Sequence, residues 1–295
     1  MSLEVLEAHL STSLLAQRTL ASPIKIEGRG LFTGQAVQML LQPAEAGHGI
    51  IFQRVDLPGQ PLIPARLEYV KATPRCTILG RGDAEVQTVE HFLSALAALG
   101  IDNLLVQLSS PEVPIGDGSA LPFIEHINRA EKCDVKAPKQ IATVTSPIYF
   151  SKNDVTIIAL PSEELRISYT LYYPQSSFIG SQFYSFAFNE ERFIQEIAPS
   201  RTFCLFEEIS PLLDQGLIRG GGLESAVVIK DEQVANPEGL RFPDEMVRHK
   251  ILDLLGDLYL LGNPLLAHII AIRSGHATNI EFAKCLQNHM KKEIV

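Results

Sequence analysis

Little in this sequence supports a disulfide framework, a nucleic-acid partner or a membrane span. Of 295 residues only four are cysteine, at Cys76, Cys133, Cys204 and Cys285, far apart and with no Cys-x-x-Cys pair. That spacing argues against a stapled fold and against a structural zinc site of the cysteine type. It favours a reducing, cytoplasmic setting. Positive charge is also scarce: 25 Lys+Arg stand against 34 Asp+Glu, a formal net charge of -9. Nucleic-acid binding draws most of its affinity from phosphate neutralisation, so an acidic chain without a basic run is a poor candidate for it. A small anionic ligand remains compatible, because a few local cations outweigh the global sign. No uninterrupted apolar run approaches the roughly 18 residues that a membrane-spanning helix needs, so no integral membrane segment is expected. The N-terminus, MSLEVLEAHLSTSLLAQR, lacks an apolar stretch followed by a small-residue cleavage site. No signal peptide is expected, and residues 1–16 read as a leader.

What is present is a globular balance. Hydrophobic residues make up 46% and charged residues 20%, and the length suits two cores better than one. Residues 19–70 alternate apolar and polar positions between Gly-rich turns and read as strands. In TVEHFLSALAALGIDN, the residues Val89, Phe92, Leu93, Leu96 and Leu99 recur at helical spacing, with Thr88 expected as N-cap and Gly100 as the stop. A strand, LLVQLSS, a Pro/Gly loop, PEVPIGDGSALP, and a second helix follow. The polar segment CDVKAPKQ, residues 133–140, reads as a linker between a first domain, 17–135, and a second, 140–295. The second half repeats the plan: several strands, then the helix MVRHKILDLLGDLYLLG, the strand HIIAIRS and a closing helix. The expected fold class is α+β, two similar units that an old duplication explains.

Three constellations carry possible chemistry. His249 and Asp253 stand at i, i+4 on one helical face, with Asp257 one further step along. Such a pair can share a zinc ion given ligands from elsewhere, although an isolated pair is more often a solvated face. Glu90-His91 sit in a helical first turn, where adjacent residues diverge by about 100°, so one can bind a metal while the other reaches a nearby water. An acidic first turn favoured by the helix dipole is the plainer alternative. His276, in Ser274-Gly275-His276, stands in a turn where it could donate a proton; a surface histidine is the alternative. Thr202, Phe203, Lys250 and the triplet Gly220–Gly222 are weaker signals of the same kind.

Together these motifs are far more specific than any one alone. TVEHFLSALAALGIDN, PEVPIGDGSALPF, RTF, NPEGLRFPDEMVRHKILDLLGDLYLLG and SGHATN, in that order, resemble the UDP-3-O-acyl-N-acetylglucosamine deacetylase family over residues 17 to about 287. The resemblance implies two α+β domains whose helices pack between two outer β-sheets, and a zinc site, also open to iron(II), made by His91, His249 and Asp253. It implies Glu90 as general base, and His276 as oxyanion partner and acid, oriented by Asp257. Thr202 would donate to the oxyanion, Lys250 would meet the polar groups of the substrate, and Phe203 would pack on the sugar. An insert within 204–228 would form a passage for an acyl chain, with Gly221, Leu205, Leu212, Ile209, Leu213, Leu217 and Ile218 as its candidate surface. The implied substrate is UDP-3-O-acyl-N-acetylglucosamine, handled by a cytoplasmic monomer working beside the inner membrane. Three rivals are an amidohydrolase of another nucleotide sugar, a binding module without turnover and a purely structural two-domain protein. The second is disfavoured because Glu90, His91, His249, Asp253 and His276 are all present.

Overall fold

The strands alternate as the pattern requires. Leu104–Leu108 and Ile50–Arg54 each bury every second residue, so one face meets a core and the other does not. In the computed structural model, which describes residues 16–294, they belong to a five-stranded sheet. Its order is Ile24–Arg29, Ala36–Pro43, Leu104–Leu108, Ile50–Arg54, Leu62–Pro64. The central strand enters last, antiparallel to Ala36–Pro43 and parallel to Ile50–Arg54. The second half builds the same sheet again, from Ile148–Lys152, Val155–Leu160, His268–Ile272, Arg166–Tyr173 and Gly180–Ala187. His268–Ile272 is again last in sequence, central, antiparallel to one neighbour and parallel to the other. Two sheets sharing both order and sense are what a duplicated unit leaves behind.

Each central strand lies between two helices in sequence: α1 (Glu90–Leu99) and α2 (Leu121–Arg129) in the first half, α3 (Glu245–Tyr259) and α4 (His276–Gln287) in the second. The helices form the inner layers. Phe92 of α1 meets Phe52 of the first sheet edge to face, and Phe282 of α4 meets Phe150 of the second. Helices α1 and α3 pack directly on one another. Their approach is close because α3 has a glycine at the crossing: a Cβ on Gly256 would lie 2.1 Å from the Glu90 carbonyl oxygen. The expected α+β architecture, with helices between two outer sheets, is the one observed. Among the described residues no helix is long and apolar enough to cross a membrane. The leader, apart from Ala16, lies outside the described residues.

Three local expectations need correction. Residues 133–140, read as a linker, are largely strand: Lys132–Pro138 pairs antiparallel with Ala16–Leu20, and the next strand starts at Gln140. The polar composition reflects a two-stranded ribbon with little core beneath it. Thr88 is not the N-cap of α1. Val89 holds that place, while Thr88 adopts a left-handed φ of 59° and its hydroxyl donates to buried Glu112 at 3.0 Å. Left-handed backbone is costly for a β-branched residue, so the Glu112 carboxylate holds the entry to α1 in a strained form. Of the glycine triplet, Gly220 serves chain packing, since a Cβ there would meet the Gly30 carbonyl oxygen at 2.0 Å. Gly100 ends α1 as expected, left-handed at φ 65°.

Candidate active site

The crossing of α1 and α3 fixes the site. Glu90 and His91 open α1 and face the stripe of α3 that carries His249, Asp253 and Asp257, while His276 opens α4 beside them. Glu90, His91, Thr202, Phe203, His249, Lys250, Asp253 and His276 all line one cleft of about 480 Å³. Asp257, completely buried, stands behind His276. The constellations that were separately weak in the sequence are thus one cluster, drawn from both halves.

Asp253 Oδ1 lies 3.2 Å from His249 Nε2 and 3.6 Å from His91 Nε2, and the candidate ligand atoms of the three residues fall within 4.8 Å of one another. His249 Nδ1 is 3.1 Å from the Ser200 carbonyl. A carbonyl only accepts, so Nδ1 carries a proton, and in the neutral ring it is Nε2 that is left with the lone pair facing Asp253. Asp253 Oδ1 is buried without a hydrogen-bond partner. A buried carboxylate oxygen facing an imidazole lone pair is repulsive until a cation joins them. Burial holds His91 below its ordinary pKa and so favours its neutral form. Burial would raise Asp253, but the charge of His249 when protonated, with those of Lys250 and His276, outweighs it and holds the carboxyl far below its usual range. In their neutral forms the two imidazoles, together with the carboxylate, fit a divalent metal with a position left open.

The remaining polar groups surround this donor set. Lys250 Nζ donates to Asp253 Oδ2 at 2.6 Å and stands 5.7 Å over the Phe203 ring. His276 Nδ1 donates to Asp257 Oδ2 at 2.9 Å, leaving Nε2 pointed at Glu90 Oε1, 3.7 Å away. Burial pushes Glu90 up to about 7. Burial and the start of a helix both act to lower His276, yet the carboxylates of Asp257, Glu90 and Asp253 prevail and raise it to about 10. An ionisable carboxylate and an imidazolium side by side give the cleft both a proton acceptor and a proton donor near neutral pH.

A second cavity of about 280 Å³ adjoins the cleft and shares Leu31, Phe32, Arg75, Thr202, Phe203 and Cys204 with it. Its lining is mainly apolar and includes Ile209, Leu213, Ile218 and Gly221. Leu205 lies instead in the core, and Leu212, half-buried on the insert helix Phe206–Asp214, does not line the cavity. Sequence reasoning missed Leu31 and Phe32, whose carbonyls accept from Gly220 and Arg219 of the insert, so a loop of the first half completes the wall. It also missed Asn279, which donates to Asp257 Oδ2 at 2.8 Å, and Thr77. Asn279 stands three residues after His276, on the same face of α4, and that spacing was a usable signal.

Comparison with known proteins agrees with the motifs. The family profile described as UDP-3-O-acyl N-acetylglycosamine deacetylase matches residues 17–288. The chain is 49% identical over 269 residues to the UDP-3-O-acyl-N-acetylglucosamine deacetylase of Chlamydia pneumoniae, covering 91% of this chain and 95% of that protein. It is 48% identical to the enzyme of that name from Chlamydia felis, covering 91% of this chain and 96% of the relative. It is 44% identical to that of Chlamydia trachomatis serovar L2 over 278 residues, 94% of this chain and 97% of the relative. With identity of this order over nearly the whole length of each relative, the chain belongs to the UDP-3-O-acyl-N-acetylglucosamine deacetylase family of hydrolases.

Proposed function

We propose that this chain hydrolyses the N-acetyl group of UDP-3-O-acyl-N-acetylglucosamine, releasing acetate and UDP-3-O-acyl-glucosamine for lipid A biosynthesis. The observation that carries the reading is the convergence of His91, His249 and Asp253 Oδ1, with Glu90 and His276 facing each other beside them. His91, His249 and Asp253 would hold the metal; zinc suits two imidazoles and a carboxylate, and iron(II) accepts the same set. When bound, the ion supplies Lewis acidity, which makes water a nucleophile at neutral pH and polarises the amide carbonyl.

The protein groups divide the proton work. Glu90 Oε1 takes the proton of the attacking water, and His276 Nε2 gives a proton to the amine that leaves. Asp257 fixes the ring of His276 through Nδ1. Thr202 donates to the oxyanion, Lys250 meets the polar groups of the substrate, and Phe203 packs on the sugar. The acyl chain takes the adjoining apolar cavity, whose wall includes Gly221, Ile209, Leu213 and Ile218. A monomer suffices, because one chain supplies both sides of the cleft. The reading of 17–135 and 140–295 as two domains is supported by the strand order they share. A cytoplasmic setting beside the inner membrane follows from the same substrate.

The test is to purify the protein, quantify bound metal and assay acetate release from the substrate, with Glu90→Ala in parallel. About one equivalent of zinc or iron, and turnover that collapses in the mutant while metal stays bound, is the expected result. Bound metal without turnover moves the substrate to another nucleotide sugar, and neither metal nor turnover after zinc addition leaves a binding module.

A further inference from the structure

One fully buried residue outside the cleft holds both of its proton-handling carboxylates. The backbone N–H of Thr77 donates to Glu90 Oε2 at 3.0 Å. Its hydroxyl donates to Asp257 Oδ1 at 2.6 Å. Glu90 is thereby tied by one oxygen, and the other, Oε1, is the one turned to His276. Asp257 is tied in the same way: Thr77 takes Oδ1, and Oδ2 is left to His276 Nδ1 and Asn279 Nδ2. Thr77 comes from the first half and Asp257 from α3 of the second, so this hydroxyl bond crosses between the halves.

A segment of similar spacing occurs in the second half. Pro74-Arg75-Cys76-Thr77 and Pro199-Ser200-Arg201-Thr202 share a Pro-x-x-Thr spacing. Each threonine directly precedes a strand of a three-stranded sheet in its own half, the central strand Ile78–Arg81 or the edge strand Phe203–Leu205. Thr202 reaches the cleft. Thr77 instead reaches the carboxylates behind it.

We infer that Thr77 is a positioning residue for the deacetylation proposed above: its hydroxyl, through Asp257, sets the orientation of the His276 imidazole relative to Glu90. It touches neither substrate nor metal ligand, so its effect belongs in turnover and not in binding. Outer-shell partners of this kind cost roughly 10- to 100-fold in activity when removed. The backbone bond to Glu90 survives any side-chain change, which isolates the hydroxyl.

The inference rests on the functional reading, and the experiment separates the two. Wild type, Thr77→Val and Thr77→Ser are purified, their metal content and thermal midpoints measured, and kcat and KM for acetate release determined. The expected result is kcat lowered roughly 10- to 100-fold in T77V, with KM and metal content as in wild type, and kcat restored by T77S to within about threefold. A merely structural threonine would shift the thermal midpoint and leave kcat of the folded enzyme alone. Unchanged kcat in T77V overturns the inference, as does a T77S enzyme as impaired as T77V, which would place the effect in the methyl group. Where T77V does not fold, T77S is compared with Thr77→Ala on the same terms. A wild type that holds metal and releases no acetate overturns the functional reading itself, and with it the role given to Thr77.

Discussion

Nε2 of His276 lies 3.7 Å from Oε1 of Glu90, so the proton donor and the proton acceptor proposed for the cleft face each other, one from each half of the chain. Their pKa values are pushed apart in the useful direction. Glu90 must be ionised to accept a proton, and burial has raised it to about 7; activity is lost as pH falls through that value. His276 must be charged to donate, and its neighbouring carboxylates have raised it, against burial, to about 10; activity is lost as pH rises through that value. The expected kcat/KM profile is a bell with these two limbs. A divalent cation at His91, His249 and Asp253 adds positive charge and draws both limbs toward acid. Replacing His276 by Gln should lower the rate, abolish the alkaline limb and move the acid limb to higher pH, because the charge of His276 lowers Glu90. An alkaline limb unchanged in H276Q would assign it to another group.

Metal retention should divide the cleft residues into two sets. Asp253→Asn removes a ligand charge and leaves Lys250 without its 2.6 Å partner. Metal affinity should fall by more than the roughly 10- to 100-fold that an outer-shell change costs. Glu90→Gln keeps the donor set and should keep the metal. Competition with a chelator, read by metal analysis of the desalted protein, checks both. Equal loss in the two variants would take Asp253 out of the ligand set.

The sequence made the donors legible because they sit on periodic elements. His249 and Asp253 fall on one helical face by count alone, and the apolar residues of α1 announce the helix that Glu90 and His91 open. What periodicity does not encode is which helices cross. The close crossing at Gly256, where an added Cβ would lie 2.1 Å from the Glu90 carbonyl oxygen, joins residues 90 and 256, which are far apart in sequence. Thr77 was invisible for the same reason: its partners are Glu90 and Asp257, and neither lies on its own element. The strand character of Lys132–Pro138 was hidden by composition, since a ribbon paired only with Ala16–Leu20 has no core face to pattern. Thr88 failed as a cap because a tertiary acceptor, Glu112, took its hydroxyl.

The helix crossing gives a stability prediction. Gly256→Ala improves helix propensity by about 1 kcal/mol in isolation. The added Cβ, however, would lie 2.1 Å from the Glu90 carbonyl oxygen and 3.0 Å from its Cα, backbone atoms that cannot swing aside. Overpacking of that kind costs roughly 1–3 kcal/mol, and a clash with backbone belongs at or above the upper end. A lowered thermal midpoint is expected, with kcat reduced too, because the atom displaced belongs to Glu90. A midpoint at or above that of wild type would mean that α1 and α3 cross less closely.

The last prediction concerns Arg201, the largest of the fully buried side chains. Its Nε donates to Glu245 Oε1 at 2.8 Å, and its Nη1 and Nη2 reach Glu238 and the Gly239 carbonyl at 2.6 and 2.7 Å. Glu245 is itself completely buried and also accepts from the backbone N–H of Arg201 and of Arg241. Removing one member of such a pair strands a buried charge and costs about 3–5 kcal/mol, whereas replacing both by apolar residues of similar volume is often near neutral. Arg201→Met and Glu245→Gln should each lower the thermal midpoint steeply, and Arg201→Met with Glu245→Met should recover part of the loss. The pair also bears on the metal centre, because Arg201 ties the segment at Ser200, whose carbonyl holds His249 Nδ1, to the first turn of α3. The single variants should therefore bind metal more weakly than wild type at temperatures where they remain folded. Full metal affinity in a folded Arg201→Met enzyme would confine the pair to holding the fold.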